Sequence, residues 1–137
     1  MTRSKQQVRQ SFSGADRIRG RTEFQGVIRR GEKVSWKGFS LFVRRGPGTS
    51  RRLGVAVSSR VGGAVARNRV KRRLREHFRL NRDLMPKGLD LVVVVHRDLS
   101  EVDHKTFRAI VGDLFRRAGI IRHLPPQHAK ELVHTHN

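Results

Sequence analysis

Between Arg67 and Arg79 the chain carries seven basic side chains and a single acid, Glu76, and no other stretch limits the fold as much. So dense a charge cannot be buried, yet the segment is not uniformly polar. At about 100° per residue, Ala66, Val70, Leu74 and Phe78 run along one stripe. This predicts a helix from Ala64 to about Arg82 with one face in a core. Asn68, Arg72, Arg75 and Arg79 fall within a wedge of about 60° roughly opposite the stripe. Arg69 and Arg73 widen that wedge on one flank, and Arg67 and Lys71 lie nearer the packed side. Arg75 and Arg79, four residues apart, repel each other without a partner. Solvated helix faces usually mix signs, so a face this one-sided reads as a comb for phosphates.

The rest of the chain agrees. Its 137 residues suit one domain, and 31 Lys plus Arg against 11 Asp plus Glu leave a formal charge of +20. The bases are 24 Arg and 7 Lys, favouring the planar fork that pairs bidentately with phosphate. Nucleic acid heads the list of partners, and the charge suits DNA and RNA equally. Zero cysteines remove disulfides, thiolate chemistry and Cys-containing zinc sites, which points to the cytoplasm. The apolar run Leu91 to Val95 is far short of the roughly 20 residues that span a bilayer, so no membrane is expected.

Residues 1–16 read as a flexible basic arm and 123–137 as a disordered polar tail, with one domain between them over 17–122. Phe24, Val27 and Ile28 give a short helix from Thr22 to Arg30, stopped by Gly31 in the left-handed conformation. Val34 to Arg45 alternates as one strand, with Phe39, Leu41 and Val43 inward and Ser40, Phe42 and Arg44 outward. Leu53, Val55 and Val57 form the next strand, with a loop short enough for an antiparallel hairpin. Leu89 to His96 is a strand buried on both faces, hence central in the sheet. Ser100 or Asp103 caps a last helix in which Phe107, Ile110, Val111, Leu114 and Phe115 form the apolar stripe and Gly119 is the stop.

Gly62-Gly63-Ala64-Val65-Ala66-Arg67-Asn68-Arg69-Val70-Lys71-Arg72-Arg73-Leu74-Arg75-Glu76 resembles the arginine-asparagine-arginine signature helix of the bacterial ribonuclease P protein subunit. The order of elements from Ile18 to Gly119 follows the same family. The resemblance implies an α+β fold, a two-layer α/β sandwich with a mixed sheet packed against helices (ribosomal protein S5 domain 2-like). It implies that Arg67, Asn68, Arg69, Lys71, Arg72, Arg75 and Arg79 contact the catalytic ribonuclease P RNA. A cleft on the other side of the sheet, with Phe24, Ile28, Phe42 and Arg60, is then expected to receive the 5′ leader of precursor tRNA. Aromatic rings accept single-stranded bases by stacking; the alternative is that Phe24 and Phe42 are simply core residues. The chain departs from the family at Arg60-Val61, where two lysines are frequent, at Ile28, where an aromatic is frequent, and at His96, where a basic residue is frequent.

A nuclease acting without RNA needs clustered carboxylates or a His and carboxylate arrangement. Asp98, Glu101 and Asp103 form the one acidic cluster and read as helix caps. His134 and His136 are too few for a metal site. No catalytic residue and no metal site are therefore expected in the chain. Mg²⁺ is expected on the RNA subunit and substrate, with ribonuclease P RNA and precursor tRNA as partners and no protein partner required. The alternative is a ribosome-associated or RNA-chaperone protein without catalytic role. A DNA-binding regulator fits less well, because the charged helix is flanked by strands.

Overall fold

The computed structural model describes residues 16–121. The tail with His134 and His136, and the basic arm apart from Asp16, lie outside them. The elements in chain order are α1 (Arg21–Arg30), β1 (Glu32–Trp36), β2 (Phe39–Arg45), β3 (Arg51–Val57), α2 (Ala64–Asn81), β4 (Leu89–Val95) and α3 (His104–Arg117). The strands form one mixed sheet in the order β1-β2-β4-β3. β1 pairs antiparallel with β2 and β2 antiparallel with β4, while β3 runs parallel to β4.

Leu91, Val92, Val93 and Val95 are fully buried, so β4 needs a neighbour on each side and both faces covered. That demand places it between β2 and β3 and overturns the expected hairpin of β2 with β3. The chain from β3 to β4 instead crosses over through α2, as a parallel pair requires. The hairpin lies earlier. Val34 to Arg45 is two strands rather than one, folded back at Lys37 and Gly38 with φ of 49° and 84°. Positive φ at both central residues matches the hand of a tight two-residue turn, and the Lys37-Gly38 dipeptide was its only local signal.

One face of the sheet presents Phe39, Leu41, Val43, Leu53, Leu91 and Val93 to both long helices. α2 contributes Val70, Leu74 and Phe78. From α3 come Phe107, Ile110, Val111, Leu114 and Phe115, the stripe read from the sequence. Burying each such side chain is worth about 1.5–3 kcal/mol, so this layer holds the domain together. Phe39 meets Phe107 edge-on at 5.7 Å between centroids, joining β2 to α3. Asp103 caps α3 by accepting from the Thr106 amide at 2.7 Å, and Gly119 follows the helix with φ of 73°.

α1 packs on the opposite face, where Val27 and Ile18 meet Val92. Its C-terminal Gly31 is extended, with φ −82° and ψ 159°, not left-handed as expected. A glycine is still needed, because a Cβ there would lie 2.6 Å from the Val27 carbonyl oxygen and 2.9 Å from that of Val43. The close approach lets the chain pass directly from α1 into β1.

Candidate nucleic-acid interface

The strand register arranges the α1 side of the sheet in rows. Arg44, Asp90 and Arg52 stand side by side in the first; Lys33, Phe42, Val92 and Gly54 in the second; Ser35, Ser40, Val94 and Ala56 in the third. α1 lies over the first two. Gly26 faces Arg44, and the Phe24 ring lies on Gly54, where an added Cβ would come within 2.9 Å of Phe24 Cε2. Phe24, Ile28 and Phe42 are half-buried around Val92, so the structure brings these three expected leader residues into one cluster. Phe42 is therefore not an aromatic on an otherwise polar surface. It is flanked by Val92, with the Lys33 ammonium 5.8 Å from its ring centroid. Next to it the third row is a floor of small side chains. Ser40 Oγ lies 3.3 Å from both Ser35 Oγ and His96 Nε2.

Arg60 is not brought into that cluster. It is exposed on the turn Ser59–Val61, at the end of the sheet where the Ser58 amide donates to Val95. Sequence reasoning missed Lys33, Ser40 and Arg21. The spacing of Arg21 and Phe24, i and i+3 on α1, was a signal that could have found Arg21.

On α2, Asn68, Arg69 and Arg72 are exposed, while Arg67, Lys71, Arg75 and Arg79 are half-buried. The expected unpartnered repulsion of Arg75 and Arg79 does not occur, because Arg79 pairs with Glu76 one turn back. Arg75 leaves the outward wedge and borders a hollow of about 470 Å³ with Arg17, Arg21, Phe24 and Gly54. Burial, and then the nearby Arg17 charge, lower its pKa. Arg73 turns toward α3 and stands 5.9 Å from the Phe107 ring centroid. A helical wheel gives each direction around the axis, but not the neighbour waiting there. The result is a cationic flank joining the motif helix to the aromatic cluster.

The carboxylates hold the scaffold. Asp90 Oδ1 accepts from Arg52 Nε at 2.9 Å, and Oδ2 accepts from Arg44 at 2.9 Å and from a second Arg52 nitrogen at 3.0 Å. Burial pushes the Asp90 carboxyl up, but the hydrogen bonds from Arg52 and Arg44 outweigh it and hold the group below the ordinary carboxylate range. Glu23 ties α1 to the same network through Arg52 at 2.9 Å. Asp16 pairs with Arg82, and Asp113 with Arg116. Of the acids expected to cap the last helix only Asp103 does so, while Asp98 accepts from the Ser100 amide at 2.8 Å and caps the turn before it.

A basic helix on one face of a four-stranded mixed sheet and an aromatic cluster on the other define an α+β protein built to meet a polyanion. The comparisons give the family. The family model described as Ribonuclease P matches residues 12–119. Ribonuclease P protein components from Desulfovibrio desulfuricans and Clostridium botulinum strain 657 are 43% and 40% identical over 113 and 106 residues. Those alignments cover 80% and 77% of this chain and 85% and 96% of the relatives. The ribonuclease P protein of Thermotoga maritima superposes with a TM-score of 0.66 at 35% identity, over 74% of this chain and 96% of that one. The Staphylococcus aureus protein shares the fold with a TM-score of 0.73, over 79% and 99% of the two chains. The chain belongs to the ribonuclease P protein family. It is thus a component of a tRNA-processing endoribonuclease whose partner is ribonuclease P RNA. Among the described residues no helix is long and apolar enough to cross a membrane.

Proposed function

We propose that the exposed side of α2 docks on ribonuclease P RNA while the cleft beside α1 holds the 5′ leader of precursor tRNA, assisting removal of that leader in the cytoplasm. Arg67, Asn68, Arg69, Lys71, Arg72 and Arg79 serve the first contact, and Arg75, turned to the hollow beside α1, stands between the two contacts. Phe24, Ile28 and Phe42 serve the second, and Arg60 adds a cation at the His96 end of the sheet. The observation that carries this reading is the gathering of Phe24, Ile28 and Phe42 around Val92 beside the small-residue floor, with Lys33 against Phe42 and Arg21 and Arg75 beside Phe24. Aromatic faces with flanking cations accept single-stranded RNA without reading its sequence.

Among the described residues no group of three or more His, Asp or Glu side chains is placed to hold a metal ion. Asp90 is saturated by two guanidiniums, and Asp16, Glu23, Glu76 and Asp113 are ion-paired. Mg²⁺ then belongs on the RNA subunit and substrate, and the protein's part is to screen the approach of two polyanions. The test is cleavage of precursor tRNA at low Mg²⁺ by the cognate RNA, with and without the protein, across leader lengths. Stimulation confined to substrates with several leader nucleotides supports both contacts. Equal stimulation of all lengths rejects the cleft, and salt-sensitive RNA binding without stimulation favours a general RNA-chaperone role.

A further inference from the structure

Trp36, the one tryptophan in a chain without tyrosine, stands on β1, the strand at the edge of the sheet. It pairs across the strands with Phe39 and packs on the same core, so it faces the α3 side, away from the leader cleft. The side chain is half-buried at the margin of that core, and its indole N–H is buried with no acceptor among the described residues. An unsatisfied buried donor is destabilising, and phenylalanine would fill the same margin without it. Packing alone therefore does not explain an indole here.

Cations gather around this ring. Arg117, in the last turn of α3, places its guanidinium carbon 3.5 Å from the ring centroid, and the Lys37 ammonium lies 5.2 Å from it. At 3.5 Å the planar guanidinium must lie nearly flat, because a tilted one would drive its nitrogens into the ring. Arg97 runs along Gly38, where a Cβ would come 2.5 Å from its Cδ, and donates to the Lys37 carbonyl at 3.2 Å, bracing the turn. Among the described residues Lys37, Arg97 and Arg117 form no ion pair. Glu32, on the same face of β1, pairs with none of them, and Asp98, beside Arg97, is committed to the Ser100 amide.

Arg117 is exposed, so the outer plane of a guanidinium already stacked on Trp36 is open. Nucleobases stack on guanidinium planes as they do on aromatic rings, while the edge N–H groups meet phosphates. The indole holds the plane in place before a base arrives, which lowers the ordering cost. We propose that Trp36, Lys37 and Arg117, braced by Arg97, form a stacking platform for single-stranded RNA, separate from α2 and from the leader cleft. Unpaired cations on a chain of charge +20 favour a polyanion here over a second copy of the chain. The platform rests on RNA being the partner, not on the assignment of either other contact. Two strands carry the required chemistry, a single-stranded segment of ribonuclease P RNA and the distal part of a long leader, and the test separates them.

With one tryptophan and no tyrosine, the intrinsic emission of the full chain reports this position alone. It is followed at constant salt during titration with an unstructured RNA octamer, with ribonuclease P RNA, and, in the presence of that RNA, with precursor tRNA carrying a short or a long leader. A saturable change in emission is expected with the octamer, its midpoint raised at least about fivefold in Lys37→Gln/Arg117→Gln through loss of the stacked plane and of two cations. Arg117→Lys keeps the charge but not the plane and is expected to raise the midpoint as well. Lys37 and Arg117 are exposed, so the variants should keep the fold, which thermal unfolding checks. A change on adding ribonuclease P RNA alone assigns the platform to that RNA, and a change that waits for the long leader assigns it to the leader. Emission unaltered by every RNA while anisotropy of labelled RNA shows saturation, or midpoints untouched by both variants, overturns the platform. Cleavage across leader lengths reads the leader cleft independently, so failure of one is not mistaken for failure of the other.

Discussion

The ring of Phe24 rests on the bare backbone of Gly54, where a Cβ would stand 2.9 Å from Cε2 and 3.0 Å from Cδ2. Position 54 thereby sets how closely α1 approaches β3 and where the cleft aromatic points. Gly54→Ala should push the ring outward at a cost of about 1 kcal/mol, toward the low end of overpacking penalties because a half-buried ring can yield. Thermal unfolding checks the stability loss. Comparison of KM for long-leader and leaderless precursors checks the consequence, which should appear only with the leader.

Removing the charge of Asp90 leaves Arg44 and Arg52 facing each other across β4. Asp90→Asn should destabilise by about 2 kcal/mol, less than a fully buried pair because all three side chains keep some solvent contact. The pH dependence has a definite sign. Asp90 has its folded pKa held below the unfolded value, so its contribution is complete above the ordinary carboxylate pKa of about 4 and fades as pH falls through the lower folded value. Denaturant unfolding of both proteins should show a constant gap from about pH 7 to 5 that narrows below about pH 4.

Arg69 and Arg72 are exposed on α2, so Arg69→Ala/Arg72→Ala should leave folding intact. Affinity for the cognate RNA should fall, and the slope of log Kd against log salt should drop by about 1.4 to 1.8, one phosphate being lost per arginine. An unchanged slope would show that these two side chains do not meet the RNA.

The Gly46 amide donates to Gly88 at 2.8 Å and the Gly88 amide to Ser50 at 2.9 Å, clamping the β2–β3 loop to the turn before β4, and this clamp gives a paired prediction. Gly88→Ala brings a Cβ to 2.2 Å from Gly46 and 2.7 Å from Gly48 carbonyl oxygens at a positive φ, whereas a Cβ at Gly48 meets nothing within 4 Å. Gly88→Ala should cost about 3 kcal/mol or more, combining backbone strain with steric overlap. Gly48→Ala should stay within about 0.5 kcal/mol. Equal midpoints in urea would refute the clamp.

What the sequence determined by itself is local and periodic. The stripe Val70, Leu74, Phe78, the stripe Phe107 to Phe115, the choice of Ser100 or Asp103 as cap and the two-faced burial of β4 were all legible, because each depends on residues a few positions apart meeting one environment. The family resemblance rested on the same motif helix. Tertiary structure alone decided which strands pair, and so where Phe24, Ile28 and Phe42 gather. β2 and β3 are neighbours in sequence, yet burial of both faces of β4 is worth more than a short loop between them, and β4 enters from some thirty residues away. It also decided which charges find partners. Arg75 and Arg79 have similar positions on a helical wheel, but one borders the hollow beside Arg17 and the other pairs with Glu76. Asp90, which reads in sequence as one acid at the start of an apolar strand, becomes the tie between two arginines only when β2 and β3 are laid on either side of it. Periodicity fixes a side chain's direction from its own backbone, whereas its electrostatic partner is set by the packing of segments far apart in the chain.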